Sequence, residues 1–308
     1  MAKDIITGVL VEILLFAASV VIPIVGSFCS VIMPLPVLYY RVKLGRRMGI
    51  IVPAVTLIIL AAILGKPSLN VLGFIEFLLI GYLLGDLLEQ RVSVERTVLV
   101  TCAAVVAAGF IGMLVLSAMA GTGLVDTLRA YVAENIRLTV EIYRQMGMPE
   151  ESVRTISESL SGIQDHIVAV IPALVVGSTL LITWLNFLCG RVLLARRGLR
   201  QMHIGALNRW KTPEHLVWAV IAAGVLALLP HRGASMIGLN VLLVLVPVYL
   251  LQGLAIISFF FEKKGIPRGM RVVLYAIVVL QHMLLIAVVG LGFFDVWLNI
   301  RRIGREAT

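Results

Sequence analysis

The sequence predicts an all-α, polytopic transmembrane helix bundle of eight or nine spans with a small external helical hairpin. Three observations carry that prediction. Long apolar stretches recur along the whole chain: Met48 to Gly65, Leu69 to Leu88, Thr97 to Ala120, Ile167 to Gly190, Pro213 to Pro230, Met236 to Phe261 and Val272 to Phe294. About 20 apolar residues suffice for a helix to cross a bilayer core. The chain is 60% hydrophobic and 14% charged, more apolar surface than a soluble fold of 308 residues can hide. Basic residues collect in every second gap between the stretches, which is the topology signal of an inner-membrane protein. Continuous apolar runs are not barrel strands, and only helices or closed barrels satisfy their backbone in lipid.

Ile5 to Tyr40 is too long for one span and is interrupted by Pro23, Gly26, Pro34 and Pro36. It reads as a hairpin, Ile5 to Ile22 then Ile24 to Tyr40, with the N-terminus in the cytoplasm; the alternative is one span plus a re-entrant piece. Lys3 beside Asp4, with no small-residue cleavage site, marks a retained first helix. The gap Arg41 to Arg47 holds four cations and no acid. So does the longer gap Arg191 to Lys211, and Glu262 to Arg271 holds four cations against one acid. All three are expected inside. At the C-terminus the count of spans from Arg271 points outward, whereas Arg301, Arg302 and Arg305 favour the cytoplasm.

Gly121 to Asp165 is the one sizeable polar segment, with seven acids against four arginines, in keeping with an external location. Val125, Leu128, Val132, Ile136, Tyr143 and Met146 recur at helical spacing. Met148-Pro149-Glu150-Glu151 reads as a stop and restart. The expected product is an amphipathic helical hairpin, either a structural cap or a lid over a solute site.

Ionisable groups inside spans are expensive and are functional hypotheses by default. Glu76 is the strongest, about 10 Å inside its span at 1.5 Å per residue. There it could bind a cationic or hydrogen-bonding solute or carry a proton. Asn70 and Asn240 fall near the same depth, and His282 sits near the middle of the last apolar stretch. These four residues are the candidate solute-binding set. Glu12 in the first span could pair with a cation or be protonated. Asn186 and Gln252 suit interhelical hydrogen bonds, and Gly81-xxx-Gly85 and Ala104-xxx-Ala108-xxx-Gly112 suit close helix packing. Arg196, Arg197, Trp210 and Lys211 are candidates for docking a protein partner. Thr212-Pro213-Glu214 reads as a helix start, with Thr212 as cap.

Several classes lose support. There is no G-x-x-x-x-G-K-[ST] phosphate loop, H-E-x-x-H or G-x-S-x-G. No cofactor, no metal and no nucleic-acid partner are expected, because the net charge of +9 lies in short loops beside spans. Cys29, Cys102 and Cys189 sit in apolar stretches and form no ligand motif.

The order of features resembles the YybS-like family of bacterial multi-pass membrane proteins. The residues that carry the resemblance are Pro34-Leu35-Pro36 ahead of the turn Arg41 to Arg47, then Asn208 to Pro213 with Trp218. Gly238-Leu239-Asn240, Gln252-Gly253-Leu254-Ala255 and Leu291-Gly292 to Asp295, followed by Arg301-Arg302, complete it. That family is similar to the solute-binding S-components of energy-coupling-factor importers. The resemblance implies a core over residues 1–190, with 191–308 as added helices and basic cytoplasmic loops. It further implies binding, and by extension transport, of a small solute by a protein without its own ATPase. One departure stands against coupling to such importers: no small-xxx-small face occurs on the first helix, where Ala17 is followed by Val21 and Ala18 by Ile22. The alternative is a non-transporting scaffold or assembly partner. An intramembrane enzyme, with Asp295 as its one acid, is the remote third reading.

Overall fold

A computed structural model describes residues 1–65, 68–90, 92–199 and 207–301, apart from the side chains of residues 23–25 and 27. Lys66, Arg91, Arg200, Arg302 and Arg305, all used in the loop-charge reading, lie outside the described residues. The described chain is helical throughout, with 13 α-helices, one short 3-10 turn and no strand. It divides into two compact units, Met1–Ile171 with Thr179–Met202, and Pro172–Ser178 with His203–Thr308.

In the first unit, α1 (Ala2–Val21) ends at Ile22, whose extended backbone precedes Pro23. A residue before proline is pushed out of the helical region, so the hairpin break falls where the sequence places it. α2 (Pro23–Ile32) packs back on α1, and α3 (Pro34–Gly49) follows it after Met33. α4 (Ile51–Leu64) leaves α3 at a bend of 90°. α5 (Leu69–Glu89) opens on Ser68, whose hydroxyl accepts from the Val71 amide, and α6 (Val94–Ala120) opens on Ser93 in the same way. Such caps satisfy amides that a helix start leaves without partners.

Glycine decides the closest contacts. A Cβ on Gly81 would strike the Pro34 carbonyl, and one on Gly85 would lie 2.7 Å from Arg41 Cγ. The Gly81-xxx-Gly85 face therefore packs α5 on α3 within the chain. The expected external hairpin is α7 (Leu124–Gln145) and α8 (Glu150–Gly162), packed together, with Pro149 as the cap residue of α8. Tyr131 on α7 donates to Asn70 Oδ1 at the start of α5 (3.2 Å), and Arg129 Nε pairs with Asp165 (3.1 Å). On the exposed face, the Arg137 guanidinium donates to Glu134 and holds that carboxyl below the usual range. In the long helix α9 (Gln164–Arg196), Asn186 Nδ2 donates to the Val31 carbonyl at 2.7 Å. That carbonyl lies where Pro34 and Pro36, which carry no N–H, disrupt the regular helix ladder.

In the second unit, α10 (Leu216–Leu228) and α13 (His282–Leu298) both pack on α11 (Arg232–Lys263), and α12 (Arg268–Leu280) packs on α13. Gly238 meets the backbone of Ala223 and Ala227. Gly253 and Gly292 bring the α11 and α13 backbones into contact.

Five helices are long and apolar enough to cross a bilayer, or seven if each bent pair counts as one span. The expectation of eight or nine spans exceeds this for identifiable reasons. Met48 to Gly65 yields only the 14-residue α4, joined to α3 by its bend. Pro213 to Pro230 yields the 13-residue α10. Its predicted Thr212-Pro213 start is displaced to Leu216, because the Thr212 amide donates to Gln252 Oε1 instead of joining a helix. Val272 to Phe294 is not one straight span: it breaks at Gln281, which is extended, and turns through 102°.

Candidate functional site

Ionisable side chains in apolar helices must find partners or stay neutral, so the site is built from how each one is satisfied. Glu76 lies half-buried on α5, and its carboxylate rests on Gly109 of α6, where a Cβ would collide with Oε1. It has no hydrogen-bond partner among the described residues. Asn70, two turns earlier, is held by Tyr131 of the external hairpin. Glu76 and Asn70 thus share α5 in the first unit, whereas Asn240 and His282 belong to the second. Asn240 donates to the Met236 carbonyl of its own helix (2.9 Å) and borders an open, apolar groove of about 320 Å³ beside Pro172, Ala173, Val176 and Leu245. His282 is not mid-span. It is exposed and opens α13 at the 102° bend, because the polar pair Gln281-His282 interrupts the apolar run.

Two buried polar nodes carry more interactions than any of these four. In the first unit, Arg41 is fully buried, although its place in a basic run suggests a cytoplasmic turn. Its guanidinium donates to Asp86, and to Glu89 Oε2 at 3.0 Å, and lies over the Tyr82 ring. Gln90 donates to the other Asp86 oxygen (2.9 Å), and Arg46 approaches from outside at 3.3 Å. Gly49 and Gly85 make room: a Cβ on either would lie 2.7 Å from an Arg41 atom. An arginine fork against two carboxylates satisfies both charges directionally.

In the second unit, Asp295 and Arg301 are paired at 2.9 Å with both side chains wholly out of solvent. Asp295 also accepts from Gln252 Nε2 (3.2 Å) and from the Ile300 amide (2.9 Å). Arg301 Nη1 donates to the carbonyls of Asn208 (2.8 Å) and Trp210 (2.9 Å). Asn299 takes a left-handed backbone after α13, and its side chain accepts from Lys211 Nζ at 2.8 Å. Asn208 in turn donates to Glu262. The residues 208–212, 252, 295 and 301, scattered along the sequence, thus meet at one place.

This geometry revises two sequence readings. The end of α13 is fastened to the segment 208–212, the basic gap that loop charge assigns to the cytoplasm, and the simple span count had separated them. Lys211 and the Trp210 carbonyl serve that internal node. Of the four docking candidates, the side chains of Arg196 and Arg197 stand exposed. The Arg41 and Asp295 nodes were missed as sites. A signal existed for the first, since Asp86 and Glu89 follow Gly81-xxx-Gly85 on the helix that faces Arg41.

Among the described residues, no group of three or more His, Cys, Asp or Glu side chains could hold a metal ion. All three cysteines are free thiols.

The family described as "Predicted membrane protein (DUF2232)" matches residues 10–296. The chain is also similar to "Uncharacterized protein YybS" of Bacillus subtilis, with 22% identity over 296 residues, covering 92% of this chain and 91% of the relative. No solved structure matches. Apolar helices throughout, buried ion pairs that tie them together and a family match over nearly the full length lead to one conclusion: the chain belongs to the DUF2232 family of integral membrane proteins.

Proposed function

We propose that this protein binds a small cationic or hydrogen-bond-donating solute within the helices of its first unit, with the Glu76 carboxylate as the recognition group. The single observation that supports this reading is Glu76 itself. It is a half-buried carboxyl on a helix long and apolar enough to span a bilayer, with no partner among the described residues. Gly109 keeps the space over it free of a side chain. An acid left without a partner in such surroundings is expensive to keep unless it has a use. The external hairpin adds support. Tyr131 ties α7 to Asn70 on the same helix, so a lid over the outer end of α5 has an anchor. In this reading the protein sits in a bacterial cytoplasmic membrane with its N-terminus inside, takes no cofactor, and draws on another protein for any energy that transport requires. The family's likeness to importer S-components is in keeping with that.

The test is native mass spectrometry of the full chain released from gentle detergent. The wild type is expected to carry a small molecule that Glu76→Ala lacks and that Gly109→Leu, which fills the space, also excludes. A small molecule retained equally by all three proteins removes Glu76 from the site. A stoichiometric protein partner that is lost on neutralising Arg196 and Arg197, with no small molecule bound, favours the scaffold reading instead.

A further inference from the structure

Glu12 faces the interior of the first unit rather than lipid. Its residue is wholly buried, and neither carboxyl oxygen has a hydrogen-bond partner. Its surroundings are layered. On one side Val9, Tyr40 and Val52 form an apolar cluster; on the other Phe16, Met33 and Leu60 form a second. Between residues 9 and 16 of α1 the facing positions therefore run from 52 to 60 on α4 and from 40 back to 33 on α3. Glu12 falls midway, level with Thr56 and with Pro36–Val37. Thr56 is also wholly buried, and its hydroxyl is likewise unpartnered. The Val37 amide approaches the carboxyl without reaching hydrogen-bond geometry. Pro36 supplies no N–H to the Ile32 carbonyl, so the same stretch holds backbone acceptor capacity as well. A polar layer held between two apolar ones calls for an explanation.

We propose that Glu12 and Thr56 form a buried binding site for a monovalent cation, filled by a proton while α1 is packed on α3 and α4. A proton needs no cavity and leaves the carboxyl neutral. Loss of the proton would leave a bare carboxylate with no counter-charge. α4 carries no titratable side chain, and α2 carries only Cys29. On α3 the nearest groups are Tyr39 and Tyr40; Lys43 is paired with Asp4 of α1, and Arg41 with Asp86 and Glu89. Arg46 reaches Asp86, and Arg47, at the end of α3, is exposed. Release of the proton is therefore tied to opening of the layer between α1 and α3–α4, the coupling a membrane carrier needs between cation occupancy and shape. The site stands apart from Glu76, so either can fail without the other.

Thermal unfolding of the full chain in detergent tests this, comparing wild type with Glu12→Gln from about pH 5 to about pH 9 with choline as the only added cation. A carboxyl kept neutral by burial contributes stability at low pH that is lost as pH rises. The wild-type melting temperature is expected to fall relative to Glu12→Gln as pH increases, and Glu76→Ala is expected to leave that trend in place. Parallel curves for wild type and Glu12→Gln overturn the proposal. Recovery of the wild type at high pH by sodium chloride but not by choline chloride overturns the proton assignment. Dicyclohexylcarbodiimide supplies a second reading, because the protonated carboxyl adds across its C=N bond, the proton going to nitrogen and the oxygen to carbon. The peptide containing Glu12 is expected to gain an adduct that declines as pH rises; an adduct independent of pH also overturns the proposal.

Discussion

Removing Arg301 should unfold the second unit far more readily than removing Arg301 and Asp295 together would suggest. In Arg301→Ala, Asp295 stays wholly buried with only the Gln252 amide at 3.2 Å and the Ile300 N–H at 2.9 Å as donors. The Asn208 and Trp210 carbonyls lose their common donor as well. Breaking a buried pair from one side costs about 3–5 kcal/mol, because a charge remains without its counter-charge. Asp295→Ala strands Arg301 in the same way and should cost a similar amount. The double substitution leaves no charge behind. Its loss should fall about 2–3 kcal/mol short of the sum of the two single losses. Denaturant unfolding of the purified protein in mild detergent, followed by helix content, gives the three free energies. Losses that add to within about 0.5 kcal/mol would refute the reasoning, since they would mean that the two side chains do not share one node.

Two further outcomes follow from contacts elsewhere. Gly253→Val places a Cβ against the Val288 carbonyl and should destabilise the protein by about 1–3 kcal/mol, whereas Gly224→Val on α10, with open space around it, should not; equal losses in unfolding assays would contradict the proposed α11–α13 contact. The Glu134 carboxyl, held low by Arg137, adds stability that is present at neutral pH and fades as pH falls through its lowered value. The pair is exposed, so Glu134→Gln should melt with the wild type at neutral pH; a clear drop would show that α7 depends on it.

The helices were legible in the sequence because hydropathy is a local property. Pro23, Ser68, Ser93 and Pro149 sit at helix starts that residue chemistry alone predicts. The bends were not legible. Nothing between Leu280 and Met283 is a proline or glycine, so the 102° turn at Gln281 shows only as a polar pair in an apolar run. Arg41 misled for a physical reason. An arginine in a basic run resembles a loop anchor until Asp86 and Glu89, more than 40 residues away in the chain, are seen to face it. Gln252, Asp295, Arg301 and Asn208 were each visible within the family resemblance, yet their convergence depends on tertiary packing. Glu76 was singled out by depth alone, and its contact with Gly109 supplies the geometry that depth could not.

Side-specific labelling tests the central claim, a helical membrane protein with its basic segments in the cytoplasm and its acidic hairpin outside. Arg197→Cys and Ser159→Cys place thiols on exposed positions of the basic segment and the hairpin. A membrane-impermeant maleimide applied to intact cells is predicted to modify Ser159→Cys and to reach Arg197→Cys only after permeabilisation. Labelling of Arg197→Cys in intact cells, with Ser159→Cys protected, would contradict the account.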